Sequence, residues 1–315
     1  MKKIIALALT FTLLFALTLT AAASSVSVAT ELTNVRTYYS KQNQATCYEE
    51  TLALASMGML TGRTPFIPEK DGTAGELAKR ILAVNATGEI PENDPDAEEL
   101  KQFQNTNGAF GNVESHCLSM IALSSRKAVY ASGKAYAWLL SQQRENGSFS
   151  DSVKETALAV CILSQSQNDA ELDAAAKGVL YLNQYKATNA VDLCWQIIGI
   201  TDGGVDANTA ADRNLLEDLL SYQNTTDYSF YRSHNDTATD GEATVLALIA
   251  LDTINKDGSL FQRLAEEGTL EFYNPADALP LIIFAAVVLV ISIGFWIFIF
   301  LHKENTKTLD ETKSY

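Results

Sequence analysis

The sequence predicts an all-α fold in which five to six helix pairs close into an α/α toroid. Helical periodicity dominates the chain, and no convincing strand alternation interrupts it. Four glutamines recur at intervals of 39, 41 and 39 residues, each at the end of a helical stretch: Gln104, Gln143, Gln184 and Gln223. A repeat of this length is typical of helix pairs that stack in an array and share one core.

The predicted helices follow one another in a regular order. A short leading helix over 34–41 comes before five helix pairs. The pairs join 47–60 to 74–86, 97–104 to 113–125, 133–143 to 153–165, 170–184 to 190–200, and 212–223 to 240–253, and a last short helix covers 259–267. The second helix of each pair is apolar on nearly every face, which predicts an inner ring, whereas the amphipathic first helices predict an outer ring.

Capping signals support the predicted starts of the inner helices. The Ser/Thr-x-x-Glu pattern of a capping box begins at Thr73, at Ser152 and at Thr239. Asn112 and Asn189 are suitable N-caps for the other two inner helices. Five helices are therefore predicted to begin in the same manner and at the same place in the repeat.

The two ends of the chain predict export and membrane anchoring. Two lysines precede an apolar run that closes on three alanines, so residues 1–23 are predicted to be a cleaved secretory signal, with an uncleaved anchor as the alternative. The segment from Leu281 to Leu301 carries no charge and is long enough to cross a bilayer, which predicts a transmembrane helix over 278–301. Lys303 and Lys307 follow at once, so the tail 302–315 is predicted to be cytoplasmic.

This topology leaves residues 24–277 as one extracellular domain of a single-pass cell-membrane protein. Of 23 Lys and Arg and 38 Asp and Glu, five basic and three acidic residues belong to the signal and the segment from Leu301 onward. The predicted domain therefore holds 18 basic against 35 acidic residues, a net charge of −17. Binding to nucleic acid requires clustered Lys and Arg, so nucleic acid is excluded as a partner.

The four cysteines leave two alternatives open. Cys47, Cys117, Cys161 and Cys194 all lie in apolar helical stretches. Two disulfides would allow three pairings, between which the sequence does not choose. Buried thiols that pack as small hydrophobes are the alternative that the apolar surroundings favour.

The turns after the recurring glutamines resemble a known repeat. Gln104–Phe110 and Gln143–Phe149 resemble the Q-x-x-x-G-x-aromatic turns of squalene cyclase and protein prenyltransferase repeats, and Gln223–Phe230 is a looser copy. The resemblance covers roughly residues 45–253 and is nearest to bacterial surface members, whose toroid is similar to the helical domain of cobalamin carriers. It implies scaffold roles, with glycine in a tight turn and a wedged aromatic ring, for Gln104, Gly108, Phe110, Gln143, Gly147, Phe149, Gln184, Gln223 and Phe230.

The resemblance also implies three kinds of functional site. The acid motif D-x-D-D of the cyclases has only an incomplete counterpart at Asp94-Pro95-Asp96-Ala97, where helix capping by Asp94 is the simpler interpretation. The Asp-x-Cys zinc ligands of the prenyltransferases are similar to Asp192-Leu193-Cys194, but Ala243 stands where the third ligand, a histidine, is expected. Corrinoid capture, as in the cobalamin carriers, needs a second domain or a partner chain.

These observations favour a surface module that binds a ligand or an envelope protein and is not an enzyme. The candidate ligand-binding residues are His116, Asp192, Cys194 and His234, with Asp192 and Cys194 as the candidate zinc ligands. No cofactor is expected, although zinc and cobalamin stay open. The inner helices would focus partial positive charge at one rim, which many acidic residues offset in part. The alternatives are a degenerate cyclase or prenyltransferase, a corrinoid-capturing surface protein, and a structural spacer.

Overall fold

The computed structural model describes residues 27–89, 94–210, 213–268 and Leu270. Twelve α-helices and no strands are found in these ranges, apart from isolated bridges in the turns, so the predicted all-α class is confirmed. In chain order the helices are α1 Val28–Tyr39, α2 Tyr48–Ser56, α3 Ala74–Thr87, α4 Pro95–Gln102, α5 Val113–Ser125, α6 Ser132–Ser141, α7 Val153–Leu163, α8 Asp169–Gln184, α9 Ala190–Asp202, α10 Leu215–Leu220, α11 Gly241–Lys256 and α12 Leu260–Glu267.

Six of these helices contact one another in a cyclic order. α2 packs on α3, α3 on α5, α5 on α7, α7 on α9, α9 on α11, and α11 packs back on α2. We call these six helices the inner circuit. They are buried on most faces, as their apolar sequences require, because each one has a neighbour on both sides.

The amphipathic helices lie outside the inner circuit. α4 contacts α3 and α5, α8 contacts α7 and α9, and α10 contacts α9. The expectation that 47–60 forms an outer helix is wrong, since α2 lies in the inner circuit with eight of its nine residues buried. The leading helix α1 lies against α11 instead, and it buries Leu32, Val35 and Tyr39.

The repeated turns join each helix pair to the next one. The Gln143 side-chain amide donates to the carbonyl of Gly147 (3.1 Å) and to that of Ala174 in α8 (2.7 Å). Gln104 makes the equivalent bonds to Gly108 (3.1 Å) and to Ala131 at the start of α6 (3.1 Å). The predicted scaffold role of these two glutamines thus has a definite form, a bridge between a turn and the following outer helix.

The turn aromatics are buried, and their backbone is held by the next helix. Phe110, Phe149 and Phe230 are each at most 1% exposed. The Phe149 N–H donates to the hydroxyl of Thr156 in α7 (2.9 Å), and the Phe230 N–H donates to Thr244 in α11 (2.9 Å). The later copies of the repeat are less regular. Gln184 is exposed, and the side-chain nitrogen of Gln223 is buried without a hydrogen-bond partner among the described residues.

Helix α12 covers the middle of the inner circuit at one end. It contacts α2, α5, α7 and α11, and its Phe261 stacks on Trp195 of α9 with ring centroids 5.7 Å apart. Leu260, Phe261 and Leu264 are at most 1% exposed. A helix of two turns reaches five others only from a central position, so α12 fills the middle of the circuit near the C-terminal ends of its helices.

Two buried carboxylates hold α12 in this position. Asp202, the last residue of α9, accepts hydrogen bonds from the N–H and the hydroxyl of Ser259, both at 2.7 Å. Asp252 of α11 pairs with Arg263 of α12 (2.5 Å) and also accepts from the hydroxyl of Ser56 in α2 (2.5 Å). Burial disfavours the charged form of Asp202 and raises its pKa to about 6.

Most of the predicted helix starts are confirmed by the observed caps. The side chains of Thr73, Asn112, Ser152 and Asn189 each accept a backbone N–H in the first turn of the following helix. The prediction for α11 is wrong, since Asp240 rather than Thr239 is the N-cap and accepts from Ala243. Arg232 binds the Glu242 carboxylate that a capping box would have used.

The predicted secretory signal and transmembrane helix lie outside the described residues. The same holds for the cytoplasmic tail 302–315. None of the described helices combines the length and the apolar character that crossing a membrane requires.

Candidate functional site

A cavity opens where the N-terminal turns of three inner-circuit helices meet. Its volume is about 340 Å³, at the lower end of the range of small-molecule sites, roughly 300–1,000 Å³. We call it the Trp195 cavity. Its lining residues are Thr46, Cys47 and Glu49 at the start of α2, Lys154 in α7, Trp195 in α9, and Gly241, Glu242, Val245 and Leu246 in α11.

Trp195 is the aromatic residue of this lining and connects the cavity to α12. Its indole is only 2% exposed and stacks on Phe261 with an angle of 24° between the two ring planes. The ammonium of Lys154 lies over the same indole, 5.5 Å from the ring centroid. A lysine in this position gains a cation–π attraction, so the inner wall of the cavity already accepts positive charge.

The charged groups around the cavity differ in whether they are paired. Lys154 pairs with Glu114 of α5 at 2.7 Å, and Glu242 pairs with Arg232. Glu49 forms no ion pair with any residue in the described ranges. Its carboxylate is half-buried, and its charge helps to raise the pKa of neighbouring Cys47 and Tyr48.

The cavity residues share one register in the repeat. Counting from the N-cap, the second helical position holds Glu49 in α2, Glu114 in α5, Lys154 in α7 and Glu242 in α11. Each of the six inner-circuit helices also carries an acidic residue in its first turn. Acidic groups at helix N-termini are stabilised by the helix dipole, and they offset its positive field at this end of the circuit.

Cys47 is the cavity group with the greatest intrinsic reactivity, but its thiol is protonated. Burial, together with the nearby charge of Glu49, raises its pKa to about 12. The thiolate is the nucleophilic form of cysteine, so the arrangement does not activate Cys47 at neutral pH. None of the four cysteines is paired, and Cys117, Cys161 and Cys194 are buried, which agrees with the expectation of packed thiols.

His116, a predicted ligand-binding residue, acts as part of the scaffold. Its Nδ1 accepts the N–H of Phe110 (3.3 Å), as Thr156 and Thr244 do for the aromatics of their own turns. Its Nε2 lies 3.2 Å from the carbonyl of Ala135, to which it donates. The imidazole is 0% exposed and packs beside Trp138 at 4.4 Å. It is therefore closed to a ligand.

Burial of His116 predicts an acid-sensitive contribution to stability. Burial holds its pKa at about 4, below the ordinary 6.5, so the unfolded chain takes up a proton below pH 6.5 that the folded chain does not. Stability therefore falls as pH drops from 6.5 to 4, by about 3 kcal/mol for this one group. We expect His116→Thr, which keeps an acceptor, to cost about 1–3 kcal/mol at pH 7 through lost packing and to abolish the acid-dependent loss.

The measurement is urea unfolding of both proteins at intervals from pH 7 to pH 4. The raised pKa of Asp202 acts in the opposite direction, since stability falls as pH rises from 3.8 to about 6. Only the difference between wild type and variant isolates His116. A difference in unfolding free energy that stays constant across this window would show that the imidazole is not buried in its neutral form.

Of the two candidate zinc ligands, Asp192 is engaged in hydrogen bonds and Cys194 is buried in the core. The Asp192 carboxylate accepts from the hydroxyl of Tyr185 (3.0 Å) and from the amide of Asn189 (3.0 Å). The Cys194 thiol is fully buried, which raises its pKa. Within the described ranges no three or more His, Cys, Asp and Glu side chains form a group that could hold a metal. The zinc hypothesis therefore has no third ligand among these residues.

The remaining sequence candidates do not line the Trp195 cavity. His234 is exposed and stacks on Tyr222 with ring centroids 3.9 Å apart. Asp94 caps α4 by accepting from the N–H groups of Asp96 and Ala97, which confirms the capping interpretation of the incomplete acid motif. Asp96 also pairs with Arg80 (2.9 Å), so it is arranged as a salt-bridge acceptor.

The sequence did not identify the cavity residues as a group. These residues come from four different helices: Glu49 from α2, Lys154 from α7, Trp195 from α9 and Glu242 from α11. Aligning the inner helices by their N-caps would have found three of them, because they share the second helical position. Comparison with known proteins adds no assignment, since no protein-family model, curated protein or solved structure matches this chain.

Proposed function

We propose that this protein is an exported, membrane-anchored binding module, in which an α/α toroid presents the Trp195 cavity to a ligand outside the cell. The observation that carries the proposal is the cavity of about 340 Å³, whose lining combines the indole of Trp195 with the charged side chains of Glu49, Lys154 and Glu242. A concave site with a mainly apolar lining and few polar groups is the usual form of a small-molecule site.

The toroid is supported by the order of the helix contacts. The inner circuit returns to its first helix through the contact between α11 and α2, and amphipathic helices lie outside it. With α12 in the middle near the C-terminal ends, the N-terminal ends remain for ligand access. Export and anchoring rest on the sequence signals at 1–23 and 278–301.

The character of the cavity groups supports binding over catalysis. Cys47 is held as a neutral thiol, and Lys154 and Glu242 are paired with Glu114 and Arg232. Groups that are neutralised in this way can orient a ligand, and they are poor nucleophiles and bases. A degenerate cyclase or prenyltransferase and a corrinoid-capturing protein stay as alternatives, and no feature of the cavity favours either one.

A variant that blocks the cavity tests the proposal. Gly241 lines the mouth of the cavity, its φ is not positive, and an added Cβ would meet nothing within 4 Å. We expect Gly241→Phe to fold normally and to abolish binding, because its ring would enter the mouth. The matched control is Gly133→Phe in α6, where an added Cβ also has open space.

The measurement is a thermal-shift screen of the full-length chain in uncharged detergent, against cationic, anionic and neutral small molecules. A ligand present at 100 times its Kd stabilises by roughly 2.7 kcal/mol, which is readily detected. The proposal fails if no compound of any class raises the melting temperature, or if Gly241→Phe and Gly133→Phe respond in the same way to every compound that does.

A further inference from the structure

The Trp195 cavity combines an aromatic face with a carboxylate that forms no salt bridge with any of the described residues. Trp195 forms the inner wall, and the half-buried carboxylate of Glu49 belongs to the same lining. A positive charge in this space would meet the face of the indole and the Glu49 carboxylate together. Cation–π attraction and ion pairing are both stronger where water is partly excluded.

The protein already places a cation on this aromatic face. The Lys154 ammonium lies 5.5 Å from the centroid of the Trp195 ring and is held by Glu114 at 2.7 Å. We propose that the ligand of the Trp195 cavity is a small organic cation, an ammonium or a guanidinium, which displaces Lys154 from the indole and pairs with Glu49. This inference rests on the proposed binding function and specifies its ligand class.

The charge balance at this end of the inner circuit favours a cation over an anion. Helix N-termini and Lys154 would attract an anion, but an acidic residue in every first turn offsets the helix dipoles. Lys154 pairs with Glu114 at 2.7 Å and Lys79 pairs with Glu76 at 2.6 Å, so each of these two lysines already has a carboxylate partner. The net charge of −15 over the whole chain also attracts cations to its surface.

Two sources could supply this chemistry, a free ammonium compound and the basic side chain of a peptide. Choline represents the first, and Nα-acetyl-lysine methylamide represents the second. Their uncharged isosteres, 3,3-dimethylbutan-1-ol and Nα-acetyl-norleucine methylamide, have similar shapes without the charge. Butyrate serves as the anionic probe. We expect each cation to bind more tightly than its isostere, and the better cation identifies the source.

Two substitutions, one that removes a negative charge and one that removes a positive charge, test the role of charge in binding. Glu49→Gln removes the carboxylate that forms no ion pair among the described residues, and it should weaken cation binding roughly tenfold, as the loss of a charged hydrogen-bond partner does. Lys154→Met removes the competing ammonium from the indole and releases the Glu114 carboxylate, so cation binding should strengthen severalfold. The matched control is Glu145→Gln, an exposed glutamate in the turn after α6, which should leave affinity unchanged.

Calorimetric titration of the full-length chain in uncharged detergent gives the affinities, and melting temperatures verify that each variant folds. The proposal is overturned if an uncharged isostere or butyrate binds as well as the cations, or if Lys154→Met weakens cation binding. Binding of butyrate or of neutral compounds alone would reject the cation while leaving the binding function intact. Failure of every probe, together with an empty thermal-shift screen, would reject both.

Discussion

Replacement of Asp252 by alanine is expected to destabilise the fold by about 3–5 kcal/mol, because it leaves the largely buried cations of Arg263 and Lys256 without a carboxylate partner. The Asp252 side chain is 3% exposed, and its carboxylate binds Arg263 of α12 at 2.5 Å and Lys256 at 3.3 Å. It also accepts the hydroxyl of Ser56, which joins α2 to α11. Urea unfolding followed by circular dichroism at pH 7 measures the loss.

The matched control is Asp173→Ala in α8. Its partner Lys177 is equally close, at 2.7 Å, but both side chains are more than half exposed, so the loss should stay below about 1 kcal/mol. The double substitution Asp252→Leu with Arg263→Met removes both members of the buried pair and should recover most of the stability. A double variant as unstable as the sum of the two single variants would contradict this account.

Gly147→Ala is expected to cost roughly 3–5 kcal/mol, at the upper end of what single substitutions do. Gly147 has φ +87°, and a Cβ would lie 2.3 Å from the carbonyl oxygen of Lys177 in α8. Either the turn or the outer helix must move, because neither group is a flexible side-chain end. Gly108 has the same relation to Lys134 of α6, at 2.4 Å, so Gly108→Ala should behave alike.

Gly62→Ala is the control that distinguishes the loss of stability caused by a Cβ clash from the loss caused by the left-handed backbone conformation alone. Gly62 has φ +78°, and an added Cβ there would meet nothing within 4 Å, so only the left-handed conformation is penalised, by about 1–2 kcal/mol. Melting temperatures and urea unfolding compare the three variants. If Gly147→Ala and Gly62→Ala lose the same stability, the close approach of turn and helix contributes nothing.

Local signals in the sequence predicted local structure well. The caps Ser152 and Asn112 were identified because a short polar side chain needs only the N–H two or three residues ahead of it. At the start of α11, Asp240 rather than Thr239 is the N-cap, and the Glu242 carboxylate of the expected capping box binds Arg232 instead. A sequence pattern of four residues contains no information about a more distant side chain, such as Arg232, that binds one of the four.

Features that depend on distant contacts were not predicted. The place of α2 in the inner circuit follows from its contact with α11, nearly two hundred residues later. The Trp195 cavity has the same origin, since Glu49, Lys154 and Glu242 come from three separate helices. The sequence predicted His116 to be a ligand-binding residue, whereas its equivalence to Thr156 became clear only from the hydrogen bond to Phe110.

The contact between Ser56 and Asp252 joins residues 196 positions apart, which has a consequence for biosynthesis. A nascent chain that has emerged only as far as α9 lacks both α11 and α12. The apolar faces of α2, α5 and α7 that α11 and α12 cover in the folded protein therefore remain exposed to water. Such intermediates are prone to aggregate. Premature termination before residue 260 should therefore yield insoluble polypeptide rather than a smaller stable protein, and chaperones should bind this chain until α12 has emerged.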